Sequence, residues 1–202
     1  MKMGISFVFA TLLALSSVAQ AASVHYDIDA AHSAVQFKVR HLVSTVPGNF
    51  KKFKGTFDYD AADPKAAKAE IEIEAASIDT GVAKRDEHLK SADFFDVKKY
   101  PTVKFVSTEL KEVNGSSAKL LGNLTMHGVT KPVTLTVDIG GEAADPWGGK
   151  RAGFTGSTKV DRKEFGLTWN KALEAGKFLV GDEVTIDVSV EGVAASADKK
   201  KK

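Results

Sequence analysis

The sequence contains no cysteine. Disulfides, thiolate catalysis and Cys-based zinc or redox sites are therefore excluded, and the fold must be held by core packing. Enzyme signatures are also missing: there is no G-x-S-x-G elbow, no G-x-G-x-x-G and no P-loop. Excess charge of one sign is lacking too. The chain has 28 Lys and Arg against 26 Asp and Glu, and five of the basic residues, Lys2 and Lys199 to Lys202, stand at its ends. No basic face of the kind nucleic acid requires is left between them, so nucleic-acid binding is not expected.

Long hydrophobic runs are scarce. The one that stands out, Ile5 to Leu15, follows Lys2 and precedes Ala19-Gln20-Ala21. This is the order of a secretory signal peptide, with cleavage expected between Ala21 and Ala22. The run is too short to span a bilayer comfortably, so the mature chain is expected to carry no integral membrane segment and to reach the periplasm or be secreted beyond it. Residues 22–193 then form one domain, and residues 194–202 a disordered lysine-rich tail.

What the mature chain has in abundance is alternation. Val35, Phe37 and Val39 alternate with Gln36, Lys38 and Arg40. Ile71 and Ile73 alternate with glutamates, Val133 to Ile139 with Thr and Asp, and Val184 to Val190 likewise. A period of two puts one face of each strand inward and leaves the other in water. Further strands are expected at Phe50 to Tyr59, Thr102 to Leu110, Lys119 to Thr125 and Gly153 to Val160. Pro47-Gly48-Asn49, Asp63-Pro64, Asn114-Gly115 and Asp145 to Gly149 read as breakers or turns. Thr80 to Val97 is rich in helix formers and predicts one or two short helices; Asp63 to Ala69 is a weaker helical candidate. About eight evenly spaced strands imply a closed barrel or a sandwich, and such a barrel either fills with side chains or holds one small ligand.

The five histidines, His25, His32, His41, His88 and His127, form no H-x-H or H-E-x-x-H pair, so spacing supports no metal site. His41 continues the inward parity of Val35, Phe37 and Val39; it is either a hydrogen-bonded inner histidine or a polar anchor at a pocket mouth. Arg85 and His88 share a face if their segment is helical. Arg85 could grip a phosphate, or with Asp86 could only pin the segment to the barrel. Of the adjacent Phe94 and Phe95, one is expected to plug the core and the other to line the mouth. Trp147 and Trp169 could both be packing. No carboxylate is clearly placed on an inward face, so an acid and base pair has no support.

Several stretches taken together resemble the YceI-like family. Ala31 to His41 resembles its opening strand, as do Gly48-Asn49-Phe50, Phe53-Lys54-Gly55 and Ser77 to Gly81 after it. The segment Arg85-Asp86-Glu87-His88-Leu89-Lys90-Ser91-Ala92-Asp93-Phe94-Phe95-Asp96 is similar to its central motif, followed by Tyr100 to Phe105, Gly122 to Val133 and Arg162 to Leu167. The resemblance spans nearly all of the mature chain; the lysine tail has no counterpart in it. It implies an all-β, extended eight-stranded antiparallel lipocalin-like barrel of a bacterial periplasmic or secreted protein. It further implies binding of polyisoprenoids or other long amphiphiles in the barrel, with quinone-related roles for some members, and it supplies no catalytic residues.

The expected function is accordingly that of a carrier holding a polyisoprenoid, quinone-like or other amphiphilic lipid, without catalytic residues, metal or a further cofactor. The expected ligand-binding residues are Phe37, Val39, His41, Arg85, His88, Phe94, Phe95, Phe105 and Val137. Two alternatives stay open: an enzyme acting on such a lipid with His41 or His88 as base, and a ligand-free stress or interaction module with a packed barrel. Oligomeric state is not fixed by the sequence, a homodimer being one option.

Overall fold

The computed structural model describes residues 23–172 and 178–195. The expected signal peptide lies outside the described residues, as does the tail from residue 196 onward. Among the described residues eleven strands follow one another: β1 Val24–Ile28, β2 Ala34–His41, β3 Ser44–Phe50, β4 Phe53–Tyr59, β5 Lys68–Glu74, β6 Ile78–Asp79, β7 Thr102–Asn114, β8 Ser117–Met126, β9 Val129–Ala144, β10 Lys150–Asp161 and β11 Val180–Ala194. One α-helix, α1, spans Ala83–Lys90.

Three pairs of these strands act as single interrupted staves. β1 and β2 lie end to end along β11, with Tyr26 opposite Ala194 and Val35 opposite Val188. β3 and β4 continue one another beside them, and β6 extends β5. Counted so, eight staves close an antiparallel barrel, because β11 pairs with β10 on one side and with β1 and β2 on the other. Closure leaves few free sheet edges, which suits a chain without disulfides.

Alternation explains the staves. In β9 Leu135 and Val137 are buried while Thr134, Thr136 and Asp138 are exposed. The outward faces carry cross-strand ion pairs such as Lys104–Glu70 at 2.6 Å and Lys38–Asp187 at 3.0 Å. Each such exposed pair contributes little, about 0–1 kcal/mol. The β7–β8 hairpin turns at Gly115-Ser116, with Gly115 at φ +60° where a side chain would be strained.

Two local expectations need correction. Pro47-Gly48-Asn49 is not a turn but lies inside β3. The far side of β3 is paired only at Asn49 and Phe50, so Pro47 sits on an edge where no ladder hydrogen bond is lost. Asp63 to Ala69 is not an α-helix: Pro64–Ala66 makes one 3₁₀ turn, and Lys68 already begins β5. Thr80 to Val97 does supply a helix, but only α1; its last turn ends where the Ser91 hydroxyl bonds the His88 carbonyl at 2.7 Å, and turns follow. β11 runs one residue past the expected limit of 193, to Ala194.

The interior divides in two. A large apolar cluster runs along the barrel through Val35, Ile73, Val103, Leu124 and Leu135. A small one, Tyr26, Phe57, Tyr59 and Ala152, sits at the end where β1, β4 and the β9–β10 turn meet.

Candidate functional site

The barrel is not packed solid. A cavity of about 390 Å³ runs inside it, lined almost wholly by apolar side chains. At one end it reaches Ile28, Phe57 and Phe154. There Phe154 meets Phe57 and Tyr59 edge-on, at 5.1 Å between ring centroids in both cases, and Tyr26 stacks on Phe57 at 4.9 Å. Tyr26 and Tyr59 lie beyond the lining and plug that end. The Tyr26 hydroxyl, fully buried, donates to Glu142 at 2.5 Å, and burial followed by that carboxylate pushes its pKa well above the usual tyrosine value. Lys150 neutralises Glu142 at 2.8 Å.

All nine residues singled out from the sequence border this cavity. Phe37, Val39 and His41 project from β2, Phe105 from β7 and Val137 from β9. His41 closes the inward row of β2 next to Val180 of β11. Of the polar members, Asp58 and Lys68 touch the lining near the plug, while His41, Thr80, Arg85 and His88 stand at the opposite end and form the mouth.

The helix positions two of them. Arg85 and His88, three apart on α1, both face the cavity. Arg85 donates from Nε to the Thr80 hydroxyl at 2.7 Å and from Nη2 to the Thr80 carbonyl at 2.9 Å. Asp86 accepts from the Thr80 N–H at 2.9 Å and from its hydroxyl at 2.5 Å. The pair therefore fastens α1 to the end of β6, which is the pinning role. Asp86 on α1 is buried, and Glu142 of β9 is largely so beside the plug, although neither lines the cavity. Both are consumed by hydrogen bonds to neighbouring hydroxyls, which alternation along strands does not reveal.

Phe94 and Phe95 both line the cavity, Phe94 buried in the core cluster and Phe95 partly buried against it. The chain after α1 folds back, with Phe94 N–H bonding the Ser91 carbonyl and Phe95 N–H the Leu89 carbonyl, so neighbouring side chains reach one space from a turn. Phe95 meets Phe50 edge-on at 5.8 Å. Phe94 packs with Trp169 at 5.1 Å, and His88 stands edge-on to both rings. His88 also bonds Asp93 at 2.9 Å.

Trp169 thus packs and lines the mouth, whereas Trp147 is exposed at the far end of the molecule. Arg162 was not legible as a site residue. It is buried, and it holds the carbonyls of Leu167, Trp169 and Gly181 and the carboxylate of Asp182, so it fixes the segment that carries the mouth tryptophan. Its stretch, Arg162 to Leu167, belongs to the family resemblance, but nothing local to it indicates this role.

Among the described residues, Asp29, His32 and Glu191 bring three potential metal-ligand atoms within 4.8 Å. Arg151 already bridges Asp29 and Glu191, so the cluster reads as an ion-pair network that staples the break between β1 and β2. No helix among the described residues is long and apolar enough to cross a membrane.

An apolar tunnel with a plugged end and a polar mouth can hold an amphiphile with its chain inward and its head at the opening. A sequence profile described as a YceI-like domain matches residues 26–192. A protein of Pseudomonas putida named UPF0312 protein is 44% identical over 183 residues, covering 89% of this chain and 92% of that protein. The crystal structure of BcnA from Burkholderia cenocepacia superposes with a TM-score of 0.73 at 27% identity, covering 81% of this chain and 98% of that one. A polyisoprenoid binding domain from Saccharophagus degradans, described as implicated in plant cell wall breakdown, shares the fold with a TM-score of 0.61 at 15% identity, over 85% of this chain and 99% of that domain.

Proposed function

The chain belongs to the YceI-like family, and from that premise we propose that it is a binding and carrier protein for a long amphiphilic lipid, polyisoprenoid or quinone-like, working in the periplasm after export. The observation that carries this reading is the apolar cavity of about 390 Å³ along the barrel axis. An empty space of that size forgoes packing worth on the order of several kcal/mol. A chain filling it recovers about 0.8 kcal/mol per buried methylene, less the entropy of ordering the tail. The Saccharophagus degradans neighbour supplies a fold precedent; the ligand class here rests on the cavity. Lys2, the apolar run after it and Ala19-Gln20-Ala21 support export.

Native mass spectrometry of the protein purified from bacteria tests this. An adduct that organic solvent extracts as a lipid is expected. A clean apo mass, together with no uptake of added isoprenoid alcohol, overturns the carrier. A second reading, an enzyme acting on the same lipid, draws on the His88–Asp93 pair at the mouth, 2.9 Å apart, which could orient a base. Turnover of the bound lipid that is lost in His88→Ala would favour it.

A further inference from the structure

We propose that the mouth rim of the barrel docks on an anionic phospholipid surface and that the cavity is loaded from there. The proposal rests on reading the cavity as a lipid site. Among the described residues five large apolar side chains stand exposed: Leu42, Val43, Val82, Trp147 and Phe178. Four of them flank the mouth. Leu42 and Val43 form the β2–β3 turn directly after His41, and the Leu42 N–H donates to the Leu179 carbonyl at 3.1 Å. Phe178 precedes Leu179, and Val82 opens α1, its carbonyl accepting from the Arg85 N–H at 2.9 Å. His41, Leu179 and Arg85 all line the cavity. Trp147 alone lies in the β9–β10 turn at the plugged end.

The turn is not apolar for the sake of its own folding. Leu42 adopts φ +49°, where glycine or asparagine would sit without strain, and Val43 is 89% exposed. The charges beside it complement lipid headgroups. Arg40 anchors the turn through Nε to the Leu42 carbonyl at 3.0 Å, and Lys163 lies 5.4 Å from the Phe178 ring centroid. Of the nearby carboxylates, Glu87 pairs with Lys90 and Asp182 with Lys163, and Asp93 hydrogen-bonds His88. Arg40 and Lys84 have no carboxylate partner among the described residues. Apolar side chains with cations at their edge are the composition of an interfacial contact. A long isoprenoid resides in a bilayer, so a mouth seated on the headgroups lets the chain pass inward without crossing water.

Sedimentation with vesicles of phosphatidylcholine and phosphatidylglycerol in equal parts tests the docking. The mature protein is expected to bind, with binding weakened by salt. Val43→Asp is expected to lower binding and the rate of isoprenoid loading from the vesicles by about tenfold or more, while Trp147→Ser leaves both unchanged. Both variants should still take up isoprenoid alcohol dispersed from ethanol, which reads the cavity without a membrane. Unchanged vesicle binding in Val43→Asp, or no sedimentation of the unmodified protein, overturns the docking. The second result is also the one expected if the rim meets a protein partner. Failure of dispersed uptake in every form strikes the cavity reading instead.

Discussion

Phe37 lies on Gly48: the two residues face each other across β2 and β3, and a Cβ on Gly48 would fall 2.3 Å from Cζ of the ring. Phe105 lies in the same way on Gly122, at 2.4 Å, and Phe57 on Gly192, at 2.5 Å. Phe37 and Phe105 are laid against the barrel wall where the neighbouring strand has no side chain, and Phe57 reaches across β1 to do the same at β11, so the aromatics line the lumen without filling it. Gly48→Ala pushes the Phe37 ring off the wall. It is expected to destabilise by about 1–3 kcal/mol, the usual cost of overpacking, with weaker lipid retention in native mass spectrometry. Phe37→Leu added to Gly48→Ala should restore part of the stability. A Gly48→Ala protein as stable and as lipid-loaded as the parent would show that the wall does not hold the ring.

Val137 separates a lumen from a filled core. It is buried mid-strand, borders the cavity and stands opposite Gly156. Val137→Trp should fill lumen volume, leaving the urea midpoint close to that of the parent while isoprenoid uptake falls. Val137→Asp should lose several kcal/mol and uptake together, because the charge has no water. Unfolding by Val137→Trp would mean that the space is not available to a ring.

Acid should loosen the network at the β1–β2 break. Hydrogen bonds from His32, Arg151 and the Ala31 N–H pull the Asp29 carboxyl down from 3.8 to about 2. A carboxyl lowered in the folded state stabilises it above its unfolded pKa and loses that contribution as pH falls through the folded one. Asp145 and Asp187 are lowered in the same sense, by backbone N–H groups of the β9–β10 turn and by Ser157 and Lys38 respectively. Thermal melts between about pH 5 and pH 2 should show stability falling with pH, and less steeply in Asp29→Asn. Equal slopes in the two proteins would remove Asp29 from the account.

Arg162 serves three carbonyls and one carboxylate from a buried position. Lysine cannot reproduce that fork, and Arg162→Lys should cost about 3 kcal/mol by urea denaturation. Trp169 fluorescence should shift to the red as its segment loosens. Lys163→Gln, at a partly exposed pair, should cost under about 1 kcal/mol. Comparable losses in the two variants would contradict a special role for Arg162.

The strands and the inward row of β2 were legible because burial follows parity, and His41 could be placed by extending that row. Pro47-Gly48-Asn49 misled because turn residues and edge-strand residues share a composition. What separates them is the ring of Phe37 over Gly48, a contact between strands that local sequence does not show. Phe94 is buried in the core and Phe95 only partly so, a division that adjacency makes legible because neighbouring residues cannot face the same way. Arg162 escaped because its partners, Leu167, Trp169, Gly181 and Asp182, are gathered by the tertiary fold.

β11 holds the barrel shut: Ile28 pairs with Gly192, Val39 with Val184, and Phe154 of β10 with Val190 on its other side. Among the described residues β11 is thus the strand that joins β10 to β1 and β2. Closure has to wait until residues 180–194 arrive, and it joins contacts far apart in sequence, which makes it intrinsically slow. Until then β1, β2 and β10 present open edges, so the half-built chain is the form most exposed to sheet-to-sheet aggregation. A chaperone that shields those edges would act before the last fifteen-residue strand docks and have nothing left to bind afterwards.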